Sequence, residues 1–249
     1  MGSGEQTSNQ VLDAGKMWIF AGDDDGELLN DLWYYDTVAL DGWVQAQGNG
    51  SWPSPRFSHM AVMQGGKMWV FGGVVQSGLS KELWNYDMER GNWIGWSNLE
   101  GPTARESMTL VEGDGKLWMF GGYDGSIRSD LWCLTAGGDP LWTLISTGLV
   151  KPSGRYSHVA VQEAGKMWIF GGLTEAGLQA DLWYFDISTF IWTEVDVTNG
   201  PSARESATAV SQPGQMWIFG GIDAKNQSDM LGGLHMILLG LIFDFVNIY

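Results

Sequence analysis

The chain has 249 residues, 44% of them apolar, and 15 tryptophans; its single cysteine, Cys133, excludes an internal disulfide and a thiolate metal cage. Its 13 Lys and Arg stand against 29 Asp and Glu, and the formal charge of −16 argues against binding phosphate backbones. That charge suits solubility and basic or mixed-charge partners, and the lone thiol fits a reducing compartment, so a cytoplasmic protein is expected.

Residues 1–10 are polar, contain no apolar signal region and read as a disordered tail. The first ordered feature is Gly15–Gly22, one of five related octets. The clearest copy, Gly165–Gly172, reads Gly-Lys-Met-Trp-Ile-Phe-Gly-Gly, and others begin at Gly66, Gly115 and Gly214. Their phenylalanines, Phe20, Phe71, Phe120, Phe170 and Phe219, lie 51, 49, 50 and 49 residues apart. Each run is short, apolar on both faces and closed by glycine, which predicts a strand buried on both sides. Asp23–Glu27 follows as an acidic loop. A second strand, Asp31–Asp36, recurs as Glu82–Asp87, Asp130–Thr135 and Asp181–Asp186. A third carries Trp43, then Trp93, Trp142 and Trp192. After a Gly/Pro-rich loop, a fourth opens with Arg56, then Arg105, Arg155 and Arg204, and runs into the next octet.

Four short antiparallel strands in a unit of about 50 residues predict an all-β propeller built from blades. One blade cannot cover its own two faces. Stacking against neighbours does so, and burying each indole contributes about 2–3 kcal/mol if its N–H finds an acceptor. The Gly-Gly after the octet, the Leu-Trp-x-[Tyr/Phe]-Asp run and the lone Trp beyond it resemble the kelch motif over about residues 12–231. The octet's usual tyrosine is replaced here by tryptophan. The resemblance implies a kelch-type β-propeller that serves as a non-catalytic protein-interaction module, with any activity residing in fused domains. The expected blades are about 11–50, 51–99, 100–148 and 149–198, with a partial fifth over 199–231. Blade 1 is expected to lack its innermost strand, which in this family a strand from the other terminus often supplies. Residues 232–249 form an irregular apolar tail, whose core, Leu234–Phe243, is too short to span a bilayer. That tail either finishes blade 5 as a strand pair or leaves the propeller open.

With strands lettered A (the Arg strand) to D from the axis outwards, the D–A and B–C loops must emerge on one face. These loops vary most between repeats, so binding is expected there. The candidate binding residues are Arg56, Arg105, Arg155 and Arg204, with Glu106, Glu205, Tyr123, Asp124, Arg128, Tyr156 and Asp24. Four guanidinium groups near one mouth suit carboxylate or phosphate. Equally, a residue kept in every repeat serves the repeat by pinning loops through carbonyls and carboxylates. A second period underlies the first: Arg56-Phe57-Ser58-His59 recurs 99 residues on as Arg155-Tyr156-Ser157-His158, and Arg105-Glu106-Ser107 as Arg204-Glu205-Ser206. An alternating ring closes without mismatch only with an even blade count, which suggests a parent of six or more blades.

No enzyme, cofactor or metal site is expected. Asp23–Glu27 lacks EF-hand spacing. His59 and His158 are expected to pack within strand A, and no nucleophile elbow or phosphate loop occurs. The alternatives are a small-molecule or metal enzyme on the propeller face, or a fragment of a larger propeller. The protein is expected to be monomeric.

Overall fold

A computed structural model describes residues 9–225 and the backbone of His235–Leu238. Among the described residues every regular element is a strand. Four sheets have four antiparallel strands in the order A-B-C-D. Blade 2 shows the pattern: Met60–Gln64 pairs with Lys67–Phe71, which pairs with Leu83–Asp87, which pairs with Asn92–Trp96. Blades 3 and 4 repeat it from Thr109–Gly113 to Leu141–Ile145 and from Val159–Glu163 to Ile191–Val195.

Blade 1 corrects one expectation. Its innermost strand is present: Asn9–Asp13 pairs with the octet strand, Asn9 opposite Phe20 and Asp13 opposite Lys16. The polar composition of Asn9 and Gln10 hid it. Where the backbone of a neighbouring strand supplies the partners, composition is a weak guide to strand formation. Blade 5 has Thr208–Gln212 and Gln215–Phe219, and His235–Leu238 adds to the outer edge of the latter. Part of the apolar tail therefore takes the strand C place in blade 5. The remainder of 226–249, and residues 1–8, lie outside the described residues.

The two-sided octet is explained by alternation. Trp69 and Phe71 join Leu110, Leu117, Met119 and Trp142 of blade 3, whereas Met68 and Val70 join Trp18, Phe20 and Leu32 of blade 1. Blade 3 does the same: Trp118 and Phe120 pack with Met167 and Ile169 of blade 4. Trp168 and Phe170 then pack with Met216 and Ile218 of blade 5. Each octet thus sends Trp and Phe forward and Met and Ile, Val or Leu backward. The strand D tryptophan returns the contact, with Trp93 on Phe20, Trp142 on Phe71 and Trp192 on Phe120 at 4.7, 5.1 and 5.0 Å between ring centroids.

The strand C indoles are all satisfied close at hand. Trp33, Trp84, Trp132 and Trp183 of strand C each donate to the carboxylate two residues earlier. Trp93 and Trp192 of strand D find no acceptor for Nε1 among the described residues. Strands A lie side by side from blade 1 to blade 5, as the innermost strands of a propeller must.

Candidate functional site

The arginines sit just before strand A rather than within it. Arg56, Arg105, Arg155 and Arg204 are 0, 1, 0 and 8% exposed, so none presents a free guanidinium to solvent. Arg155 shows what each does. Nε donates to the Ser153 carbonyl, Nη1 to the Gly171 carbonyl and Asp181 Oδ1 at 2.7 Å, and Nη2 to Asp181 Oδ2 and Ser153 Oγ. Arg105 makes the same set with Thr103, Gly121 and Asp130, and Arg56 binds Ser54, Gly72 and Glu82. Arg204 holds Gly220 and Ser202. The carboxylate shared by Arg and Trp explains the acidic residue before the Leu-Trp pair in blades 2 to 4. Burial works to raise the Asp130 and Asp181 carboxyls. The hydrogen bonds and charge of Arg105 and Arg155 outweigh it and hold both below the ordinary range.

The same residues tie blade to blade through the main chain. The Arg155 amide donates to the Arg128 carbonyl of blade 3, and the Arg155 carbonyl accepts from Gly122 of blade 3 at 2.9 Å. Arg56, Arg105 and Arg204 repeat both bonds with the blade before each of them. This is why the octet ends in glycine. Gly121 has φ +70, and a Cβ there would meet the Arg155 carbonyl oxygen at 2.4 Å. A second ladder runs beside the first: Ser107 donates to the Ser58 carbonyl, Ser157 to Ser107 and Ser206 to Ser157 at 2.8–3.1 Å. All four serines have φ near +50. Sequence reading noted these serines only as part of the 99-residue period. Their left-handed backbone gives no signal beyond the serine itself.

The bonds between D–A and B–C loops place both sets on one face, as strand alternation requires. Glu106 is backbone-paired to Tyr123, and Arg204-Glu205 pairs with Ile222-Asp223. The Tyr123 ring lies 5.7 Å from that of Tyr156, so these two expected residues do meet. Asp124 pairs with Arg128 at 2.7 Å and accepts from the Thr103 hydroxyl, which closes the blade 3 loop onto the chain entering that blade. Burial pushes the Asp124 carboxyl up, but Arg128 and Thr103 more than offset it and its pKa is lowered. Asp24 lies apart, opposite Glu27 in an exposed turn where Gly26 donates to Asp23 Oδ1. That turn is a hairpin closing on its own carboxylate. His59 and His158 are buried edge-on against Phe20 and Phe120 of the preceding blades. Burial, with the nearby Arg56, brings His59 down to about 3, and burial beside Arg155 lowers His158 as well. Both are neutral at pH 7. Among the described residues no cluster of three or more His, Cys, Asp and Glu could hold a metal ion. No helix there is long and apolar enough to cross a membrane.

Comparison with known proteins agrees with this geometry. The leucine-zipper-like transcriptional regulator 1 homolog of Drosophila melanogaster is 30% identical over 135 residues, 51% of this chain and 14% of that protein. Tip elongation aberrant protein 3 of Schizosaccharomyces pombe is 27% identical over 113 residues, 34% of this chain and 10% of its own length. The Rho GTPase-activating protein gacHH of Dictyostelium discoideum is 28% identical over 86 residues, 32% of this chain and 6% of its own. The chain thus spans at most about one-seventh of these relatives' length. The model of the KLHDC2/KLHL20/DRC7 Kelch-repeats domain matches residues 4–147 and 138–239, nearly the whole chain. With blades, glycine pairs and acid-Leu-Trp runs where the motif requires them, the chain belongs to the kelch-repeat family.

Proposed function

We propose that the face formed by the D–A and B–C loops binds a protein or peptide of basic or mixed charge, without catalysis and without a cofactor. Kelch-repeat domains in general mediate protein binding. The observation that carries the reading is the blade-to-blade stitching of this face through the arginine backbones. A surface locked before encounter loses little freedom on binding. In this reading the four arginines are positioning residues, Asp124 holds Arg128 in place, and contact falls to side chains that reach solvent: Tyr123, Tyr156, Arg128, Glu106, Glu205 and the Asp24 turn. The charge of −16 selects against acidic partners. Cys133 is buried, and burial raises its thiol pKa, consistent with a monomer in the reducing cytoplasm.

The test compares affinity capture by the wild type with two variants. One carries Asp23→Lys, Asp24→Lys and Tyr123→Ala on the loop face. The other carries Asp139→Lys on an exposed turn between strands C and D, at the opposite face. Loss of specific partners only in the first is expected. Equal profiles for all three proteins would refute the assignment of this face.

One observation favours a second reading, that the chain forms part of a larger propeller. Trp43 is 47% and Phe219 is 54% exposed, although their counterparts Trp93 and Phe71 are buried against neighbouring blades. Among the described residues no octet phenylalanine covers Trp43 and no strand D tryptophan covers Phe219, so the two faces fit as halves of one inter-blade contact. Fusing one further blade with the pattern of blade 2 should bury both residues and shield Trp43 from iodide quenching. Unchanged Trp43 accessibility to iodide in that fusion would refute this reading.

A further inference from the structure

Two clefts open on the loop face at corresponding places, two blades apart. The first lies between blades 1 and 2, with a cavity of about 860 Å³, and the second between blades 3 and 4, with about 340 Å³. Six lining positions of the first recur in the second 99 residues later; among them Leu28 becomes Ile127, Ser54 becomes Ser153 and Gln76 becomes Glu175. The two-blade period seen in the sequence is therefore expressed as a repeated concavity.

Each cleft is built alike. One wall is the B–C segment of an odd-numbered blade, carrying Leu28 or Ile127. The other is a small hairpin that blades 2 and 4 insert after their glycine pair, Val74–Val75 with Gly78–Leu79 and Leu173–Thr174 with Gly177–Leu178. The floor is the chain approaching the buried arginine. The Ser54 carbonyl accepts from Arg56 Nε at 3.0 Å and the Ser153 carbonyl from Arg155 Nε at 3.2 Å. In blade 4 the hairpin is stiffened by Gln179, which donates to the Thr174 hydroxyl and the Gly177 carbonyl. Floor and wall are thus fixed before any ligand arrives. Each cleft offers an aliphatic side chain on its B–C wall, two serines and one carboxylate, Glu27 on the B–C wall of the first and Glu175 on the hairpin wall of the second. That set fits a short extended segment with a basic residue beside an aliphatic one. The volumes lie in the range of small ligand sites, which admits a few side chains but not a folded domain.

We propose that the two clefts bind two copies of one short basic–aliphatic motif carried in tandem on a single partner chain. The proposal rests on the loop-face reading above and adds valency to it. Once one motif is seated, the second binds at the effective concentration set by its linker, so tandem motifs gain about 10²–10⁴-fold over one.

The probe is a library of heptapeptides with a fixed central Arg-Leu pair and the other positions randomised, selected on the intact protein. The recovered sequence is then made singly and as tandems joined by Gly-Ser linkers of about 10, 20 and 30 residues. Calorimetry should show two single peptides per chain, and one tandem per chain bound at least 100-fold more tightly at its best linker. Ser77→Trp fills the first cleft and Ala176→Trp the second; each should reduce the single-peptide count to one and abolish the tandem advantage. Ser54→Trp and Ser153→Trp give the same result from the cleft floor and serve if a hairpin variant fails to fold. One peptide per chain with no tandem advantage would overturn the proposal yet leave the loop-face reading intact, provided that Ser77→Trp or Ala176→Trp still weakens binding. Binding that none of the four tryptophans alters would overturn both. A library that yields no binder would overturn the motif chemistry and with it the proposal.

Discussion

Replacing Arg155 by methionine should cost about 3–5 kcal/mol, the range for breaking a buried ion pair by removing one partner. Methionine keeps much of the stem volume, and the two main-chain bonds to Arg128 and Gly122 need no side chain. What disappears is the guanidinium and its five donated bonds. Asp181, whose side chain is 23% exposed, then keeps only the Trp183 indole, and the Gly171 carbonyl loses its guanidinium donor. Urea unfolding followed by tryptophan fluorescence reads the loss as a midpoint lowered by about 1 M or more, at a slope of about 3 kcal/mol/M. The second arm is Arg155→Met with Asp181→Leu. Removing the stranded carboxylate should recover part of the loss, so that the two changes together cost at least about 2 kcal/mol less than their sum. A single-variant cost under about 0.5 kcal/mol, or strict additivity of the pair, would refute the view that this arginine is framework. The same geometry means that charge reversal at Arg105 or Arg155 reports on folding before it reports on binding.

Three further outcomes follow from the packing. Between pH 7 and 5 buried His59, brought down to about 3, should remove about 2 kcal/mol of stability, and His158 should act in the same direction, because the unfolded imidazole, with its ordinary pKa of 6.5, takes up a proton that the native one refuses. This contribution is present above pH 6.5 and lost as pH falls; His59→Met, which places there the residue that blade 3 has at Met108, should flatten the urea-midpoint profile by one histidine's share. Trp142→Ala should cost about 3–5 kcal/mol in the same assay and Trp43→Ala under about 1, since the first is buried on Phe71 and the second is half exposed; equal costs would mean that Trp43 is covered. Asn85 is fully buried with neither side-chain atom hydrogen-bonded among the described residues, so Asn85→Val should leave stability unchanged or raise it by about 1–2 kcal/mol, read as a higher melting temperature.

The blades were legible because their signal is redundant. Octet, acid-Leu-Trp run and lone Trp recur in one order, and each has a packing reason to do so. The pairing of acid with arginine was anticipated only in general, as loop pinning through carboxylates. Its particulars, 25 or 26 residues apart within a blade, depend on how strand C folds back along strand B toward the chain entering strand A, and spacing alone does not state that. Strand A of blade 1 escapes sequence reading because no arginine precedes Asn9–Asp13 and its first two residues are polar. Its evidence is the free edge of Lys16–Phe20, which exists only in three dimensions. Tyr123 and Tyr156 were listed as candidates on loop position alone, and their contact comes from two blades meeting. The clefts were invisible for the same reason, although the 99-residue period that generates them was plain.

That period separates framework from recognition. The arginines of blades 2 to 5, and the glycine pairs and forward-facing strand B tryptophans of blades 2 to 4, are used up in contacts between blades. What remains free to differ is the stretch after the glycine pair. Blades 2 and 4 raise a hairpin there, blade 3 clamps its loop through Asp124, Arg128 and Thr103, and blade 1 extends a charged turn. A partner reading this face therefore meets a pattern that repeats every two blades, not every one. A rigid scaffold with a two-blade period offers like sites at two-blade intervals, and a tandem ligand is the partner that can use both at once.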